Sequence, residues 1–157
     1  MSVEAIRGLY AALPERLGRA RRRLGRPLTL AEKILVAHCV DIDGQEWARG
    51  RAVLRLRVDR VALQDATGQM ALLQFMMSGR PRVAVPTTVH CDHLIRAEEG
   101  AGPDAARALG ENAEVYEFLR SAARKFGVGF WRPGSGIIHQ VVLEHYAFPG
   151  GLMIGAD

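Results

Sequence analysis

The sequence is poor in cysteine and lacks any long apolar run. Only Cys39 and Cys91 occur among 157 residues, which is too few for a disulfide framework in a chain of this length. No apolar run approaches the roughly 20 residues needed to span a bilayer, and nothing resembles a secretory leader. These shortages argue against a secreted disulfide scaffold and against a membrane protein. They predict a reducing compartment, with the cytoplasm favoured and the mitochondrial matrix as the alternative.

Lysine is also scarce, because arginine supplies nearly all of the positive charge. Lys33 and Lys125 are the only lysines, although the formal net charge is +4. The densest arginine run, residues 19–23, lies in a segment at 1–26 that we predict to be helical, basic and separate from a domain at 27–157. Such a run could contact RNA phosphates, but a solvated helix face is the more common explanation.

Hydrophobic periodicity predicts an alternation of helices and strands. Helices are predicted over residues 3–24, over 30–39 with Thr29 and Glu32 as a capping box, over 68–78 with Asp65 or Thr67 as the cap, and over 104–125. Strands are predicted over 53–61, 82–85 and 151–155. Residues 140–146 fit either element. Strand–helix alternation favours a layered α/β domain, here a three-layer α/β/α arrangement.

Polar residues follow several of the predicted strands. Gln64, the run 90–93 and Asp157 each come after an apparent strand. In sheets of this class, ligands gather beyond the carboxyl ends of the strands. We therefore expect these residues to share one edge of the sheet and to form a site there.

Asp92 beside His93 is the sharpest local feature. A neighbouring carboxylate fixes the tautomer of an imidazole and raises its basicity, which suits proton transfer near neutral pH. From the residues alone, an ordinary turn with a surface histidine is the alternative. His90, Cys91 and His93 also suggest a metal, but zinc sites use about four ligands in two spaced pairs. We therefore predict no metal site built from this chain.

Two further polar residues are candidates. His139 follows Gly134-Ser135-Gly136, and glycine permits close approach of the backbone to a ligand. A hydrogen-bonded structural histidine is the alternative. The amide of Gln64 can both donate to and accept from a carboxylated substrate, or it can simply stabilise its loop.

Three unusual strings carry a family resemblance. They are LQDATGQM at 63–70, VPTTVHCDHLI at 85–95 and GVGFWRPGSGIIHQ at 127–140. Together they closely resemble the amino-terminal part of aconitase, the citrate–isocitrate hydro-lyase, over about residues 24–157. The resemblance implies the first α/β domain of that family's iron–sulfur region, in truncated form.

The resemblance also implies roles for five residues. Asp92 and His93 are expected to assist protonation of the substrate hydroxyl as it leaves. His139 is expected to be catalytic, with a carboxylate partner from outside this chain. Gln64 and Asp157 are expected to bind substrate.

The resemblance further implies a cofactor and partners. The family holds a four-iron, four-sulfur (4Fe-4S) cluster with three cysteines that would lie past residue 157, so we expect their absence here. Citrate, cis-aconitate and isocitrate of the tricarboxylic acid cycle are the implied substrates. We expect the isolated chain to be inactive and to expose an apolar face. A non-catalytic or RNA-binding remnant, or one piece of a split enzyme that pairs with the missing remainder, are the alternatives.

Overall fold

The computed structural model describes residues 2–156, which form two compact units. The amino-terminal unit comprises residues 2–59 and 149–152, and the sheet unit comprises 60–148 and 153–156. The predicted division between 1–26 and 27–157 stays a prediction. The elements in chain order are α1 (Val3–Leu24), α2 (Leu30–His38), β1 (Arg60–Gln64), α3 (Asp65–Met77), β2 (Thr87–His90), α4 (Ala101–Glu111), α5 (Ala113–Phe126), β3 (Gly129–Trp131), α6 (Ile138–His145) and β4 (Met153–Ala156).

The amino-terminal unit consists of two helices whose ends are set by local sequence. α1 runs unbroken through Pro14. Gly25 closes α1 in the left-handed conformation at φ 66°, which glycine adopts without steric cost. Thr29 and Glu32 form the predicted capping box at the start of α2, each bonding the other's backbone N–H. The buried apolar cluster of this unit comprises Ala20, Leu28, Val36, Cys39 and Ile42. Among residues 2–156, no helix has the length and hydrophobicity to cross a bilayer.

The strand predicted over 53–61 is wrong for most of its length. β1 begins only at Arg60, and residues 53–58 contribute a single antiparallel bridge between Cys39 and Leu56. Leu56 packs against the core of its unit, whereas the Val53 side chain is 89% exposed. The alternation of apolar and charged residues therefore reflects alternating burial, without a neighbouring strand to form a ladder.

The sheet unit contains a parallel four-stranded sheet in the order β3-β2-β1-β4. In the central register, Leu63 of β1 lies between Val89 of β2 and Ala156 of β4. β2 occupies 87–90, later than the predicted 82–85. Parallel strands require crossover connections, and the helices supply them.

Helices pack against a parallel sheet in this unit, which confirms the predicted α/β class. α3 and α5 pack on one face, and the buried core there includes Leu63, Leu72, Val89, Leu119 and Phe126. Trp131 projects to the opposite face, where its ring lies 5.2 Å from that of His145 in α6. The single helix predicted over 104–125 is instead two helices, because the backbone leaves helical geometry at Asn112.

Candidate active site

The carboxyl ends of β1 and β2 bring two of the predicted groups together. Gln64 and His90 are paired as the last residues of their strands, and Asp92 and His93 follow directly in the turn after β2. Asp157, the remaining substrate-binding candidate after a strand, lies outside the described residues. Ala156, which precedes it, pairs with Leu63 at this same end of the sheet.

Asp92 and His93 form a hydrogen-bonded pair. The Nδ1 atom of His93 lies 2.8 Å from Asp92 Oδ1, and the Asp92 side chain is 9% exposed whereas that of His93 is 36% exposed. A carboxylate oxygen only accepts, so Nδ1 carries the proton and donates it. This contact orients the ring and leaves Nε2 as the basic nitrogen of the neutral imidazole.

The second oxygen of Asp92 reaches a different part of the chain. Asp92 Oδ2 accepts a hydrogen bond of 2.7 Å from the backbone N–H of Ile138, the first residue of α6. Ile137, at the cap position, makes no side-chain capping bond, so Asp92 satisfies a helix-terminal N–H that would otherwise need another partner. His139 is the next residue of α6. One carboxylate thus links the turn that carries His93 to the helix that carries His139.

His139 is exposed and lies beside an open groove between α6 and β4. The groove has a volume of about 440 Å³. Its lining is chiefly apolar and comprises Ala62, Ile138, His139, Val142, Leu143, Ala147, Met153, Ile154, Gly155 and Ala156. Leu143 and Ile154 are 65% and 53% exposed. The structure therefore confirms an exposed apolar face in the sheet unit.

Gln64 is buried and caps α3 from the end of β1. Its Oε1 accepts the backbone N–H groups of Ala66 and Thr67, the latter at 3.1 Å. The expectation that Asp65 or Thr67 caps this helix is therefore wrong, because Gln64 occupies the cap and the helix begins at Asp65. The Gln64 oxygen thus stabilises the junction of β1 and α3, which agrees with the alternative that this glutamine stabilises its loop. The amide nitrogen remains the group of Gln64 that can donate to a ligand.

Asp65 is the residue that sequence reasoning missed. Its side chain is fully buried, Oδ1 accepts the His93 N–H at 2.9 Å, and Oδ2 accepts the Leu94 N–H at 3.3 Å. Asp65, Asp92 and His93 each offer a ligand atom within 4.8 Å of the others. However, the oxygens of both carboxylates already accept hydrogen bonds, and acidic groups cluster commonly without an ion. The only sequence signal was the position of Asp65 beside Gln64.

His90 and Cys91 are buried supports in the same segment. His90 is fully buried, stacks at 5.9 Å on the Trp131 ring, and bonds the Thr88 hydroxyl through Nε2 at 2.9 Å. Burial lowers the pKa of His90 to about 4. Burial, with the charges of Asp65 and Asp92, raises the pKa of Cys91 to about 12. Cys91 therefore remains a neutral thiol near pH 7, which is a poor metal ligand and a poor nucleophile.

Two arginines of the run at 19–23, and Arg26 next to it, bind groups within their own unit. Arg19 pairs with Asp43, Arg23 donates to the Gln45 carbonyl at 2.7 Å, and Arg26 pairs with Glu32 at 2.7 Å. These contacts use positive charge that would otherwise be available to bind a polyanion such as RNA.

Comparisons with known proteins find matches that extend over most of the chain. A family model described as "Aconitase family (aconitate hydratase)" matches residues 32–157. The mitochondrial aconitate hydratase of Aspergillus fumigatus is 64% identical over 148 residues, which are 94% of this chain and 19% of that protein. Those of Gracilaria gracilis and Saccharomyces cerevisiae are 62% and 61% identical, covering 95% and 94% of this chain and 19% of each relative. The chain thus spans about a fifth of the length of these relatives.

Proposed function

The chain belongs to the aconitase family, and we propose on that premise that it supplies proton-handling residues of an aconitate hydratase. The observation that carries the proposal is the Asp92 carboxylate, which binds both the His93 ring and the N–H of Ile138 beside His139. This arrangement holds two histidines in a fixed relation near the carboxyl edge of a parallel sheet, where ligands of such folds bind.

The proposed reaction interconverts citrate and isocitrate through cis-aconitate. A hydroxyl group leaves poorly as hydroxide, so it must receive a proton during dehydration. His93, oriented by Asp92, is the proposed donor: the doubly protonated ring gives up the Nε2 proton, returns to the neutral form with only Nδ1 protonated, and takes the proton back in the reverse step. The carbon-bound proton lost in the same dehydration is assigned to a base outside this chain. His139 is the proposed second catalytic group at the start of α6.

Substrate binding is assigned to Gln64 and Asp157. The Gln64 oxygen is committed to the start of α3, which fixes the plane of the amide and the direction of its N–H donors. Those donors suit a carboxylate of the substrate. The role of Asp157 follows from the family resemblance alone.

The 4Fe-4S cluster of the complete family enzyme does not fit the cysteines of this chain. Cys39 and Cys91 are each 2% exposed and belong to different units. Three thiolates are expected for this cluster, and the high pKa of Cys91 keeps that thiol protonated. We therefore assign the cluster ligands to other polypeptide, and no step of the chemistry is assigned to Cys39 or Cys91.

We propose that the remaining polypeptide of a complete hydro-lyase is the partner of this chain. The groove between α6 and β4 supports this, because its apolar lining suits a protein segment better than a tricarboxylate. The relatives are roughly five times longer than the matched region, so they contain ample polypeptide to cover it. The chain alone is expected to show no turnover.

The relatives' names favour the mitochondrial matrix over the cytoplasm as the proposed location, since they are called mitochondrial aconitate hydratases. RNA binding is not part of the proposal. Arg19 and Arg23 of the arginine run, and Arg26 next to it, already bind groups of their own unit, which leaves less positive charge available to bind phosphates.

A chimera tests the proposal. This chain would replace the matching 148 residues of the Saccharomyces cerevisiae enzyme, and cis-aconitate formation would be followed after anaerobic cluster reconstitution. We expect turnover in the chimera, and a loss of about 10²- to 10⁴-fold in kcat for His93→Asn, typical of a lost general acid. His145→Asn, an exposed histidine of α6, is the matched control and should keep the rate. A fully active His93→Asn chimera with its cluster intact would refute the assignment.

A further inference from the structure

We infer that Asp65 is a positioning residue for the Asp92–His93 pair. Its buried carboxylate fixes the turn after β2 and thereby sets the direction in which the His93 ring points. This inference rests on the proposed function and deepens it, because it names the group that holds the proposed proton donor in place.

The contacts of Asp65 are directed at the turn itself. Each oxygen accepts one of two consecutive N–H groups, that of His93 at 2.9 Å and that of Leu94 at 3.3 Å. Hydrogen bonds to an ionised acceptor are roughly twice as strong as neutral ones. Two such bonds to adjacent peptides fix the planes of both, and so fix the backbone on which the His93 side chain stands.

This backbone restraint matters because neighbouring side chains do not ordinarily meet. Successive side chains of an extended strand point to opposite faces, so Asp92 and His93 could not bond each other if β2 simply continued. The chain turns at His93 and Leu94, and the 2.8 Å contact between the Asp92 and His93 side chains forms there. Asp65 binds the two residues at which the turn occurs.

The burial of Asp65 indicates that the two hydrogen bonds are what stabilises its carboxylate in the protein interior. The side chain is fully buried, and among residues 2–156 it belongs to no ion pair. A buried carboxylate is costly unless hydrogen bonds compensate it. Its charge is felt nearby, since Asp65 contributes, after burial, to raising the pKa of both Cys91 and Tyr116 to about 12. The backbone N–H groups of the turn therefore supply the hydrogen bonds that the buried carboxylate needs, and the carboxylate restrains the backbone of the turn.

Asp65 also sets the turn relative to Gln64. The two residues are adjacent at the junction of β1 and α3, where Gln64 caps the helix and Asp65 binds the neighbouring turn. Asp92 then extends the network to the start of α6 through Ile138. Gln64 is thus joined through the backbone to Asp65, and hydrogen bonds lead from Asp65 to the turn that carries the proposed proton donor and from Asp92 to the helix of His139.

Nitrogen-15 NMR of the His93 ring in the whole chain provides the test. In the unchanged protein we expect one tautomer, with Nδ1 protonated and Nε2 not. In Asp65→Asn, one acceptor is replaced by an NH₂ group that faces a backbone N–H. We expect loss of the single-tautomer signature and exchange of the His93 and Leu94 amides about 10- to 100-fold faster, as for a lost charge-assisted bond.

Asp104→Asn is the matched control. Asp104 is also buried and accepts backbone N–H groups, those of Glu98, Glu99 and Gly100, in the same unit. Its replacement should lower stability and leave the His93 ring spectrum unchanged. A merely structural role for Asp65 predicts that both variants lower stability and neither alters the ring.

Three outcomes would overturn the inference. One is an unchanged His93 tautomer in folded Asp65→Asn, and another is an equal change in Asp104→Asn. If Asp65→Asn does not fold, the unchanged chain decides, because unprotected His93 and Leu94 amides in that chain would refute the restraint. None of these readouts requires turnover, so an inactive chimera would count against the proposed function and leave this inference standing.

Discussion

Asp92 and Ile138, which are 46 residues apart, are joined by a 2.7 Å hydrogen bond from the Ile138 N–H to Asp92 Oδ2. The same carboxylate accepts from the His93 ring through its other oxygen. A change at Asp92 therefore disturbs the orientation of His93 and the start of α6, beside His139, at the same time.

Asp92 and His93 should behave as one unit in kinetics. In the chimera, we expect Asp92→Asn combined with His93→Asn to lose less kcat/KM than the product of the two single losses, because the part of the Asp92 effect that acts through the His93 ring is already lost. Single-variant losses should each fall in the range of about 10²- to 10⁴-fold. Strictly multiplicative losses would show that the two side chains act independently.

His90 should make the chain acid-sensitive. Burial lowers its pKa to about 4, whereas the unfolded chain protonates it near its ordinary value of 6.5. The unfolded state thus binds more protons between these values, so stability is full above about pH 6.5 and falls as the pH drops toward 4. The fall should reach up to about 3 kcal/mol. Urea midpoints across this range would measure it.

The control for this effect is an exposed histidine. His90→Asn should flatten the pH profile between 6.5 and 4, whereas His139→Asn should retain the slope. An unaltered slope in folded His90→Asn would assign the acid sensitivity to another group.

The groove between α6 and β4 should make the isolated chain self-associate. Leu143 and Ile154 expose apolar surface there, and an unpaired sheet edge with apolar surroundings favours association. Leu143→Lys with Ile154→Lys should shift the chain toward monomer in sedimentation velocity. Val53→Lys, at an 89% exposed residue of the other unit, should not. A monomeric unchanged chain would contradict this expectation.

Gly155→Ala should destabilise the sheet unit. A Cβ at Gly155 would lie only 2.4 Å from the Ala62 carbonyl oxygen of β1, so the strands must shift apart. We expect a cost of about 1–3 kcal/mol in the free energy of unfolding. Gly102→Ala in α4 is the control, because nothing lies within 4 Å of its added methyl group. Equal stability of the two variants would argue against this β1–β4 packing.

Local signals in the sequence predicted the elements that local interactions determine. The capping box of Thr29 and Glu32 spans four residues and needs no tertiary contact, so its prediction is confirmed. The strand predicted over 53–61 failed because alternation describes burial and cannot show whether a partner strand lies alongside. The break at Asn112 was missed because helical sequence continues on both sides of it and no proline marks the boundary.

In the candidate site, too, contacts between sequence neighbours could be predicted and contacts between distant residues could not. Asp92 and His93 are adjacent in sequence, so their pairing was open to inference. The hold of Asp65 on His93 spans 28 residues and depends on the alignment of β1 with β2, which the sequence does not state. The hydrogen bond from the Ile138 N–H to Asp92 likewise requires α6 to lie on the face of the sheet opposite α3 and α5. The catalytic and substrate-binding roles of all these residues stay predictions.

The pairing of β1 with β4 has a consequence for the order of folding. Arg60 pairs with Met153, so a ribosome must synthesise β2, β3 and all the intervening helices before β1 acquires its second neighbour. Parallel pairings between such distant segments raise contact order and slow folding. We expect the edge of β1 that faces β4 to stay solvated until β4 has left the ribosome.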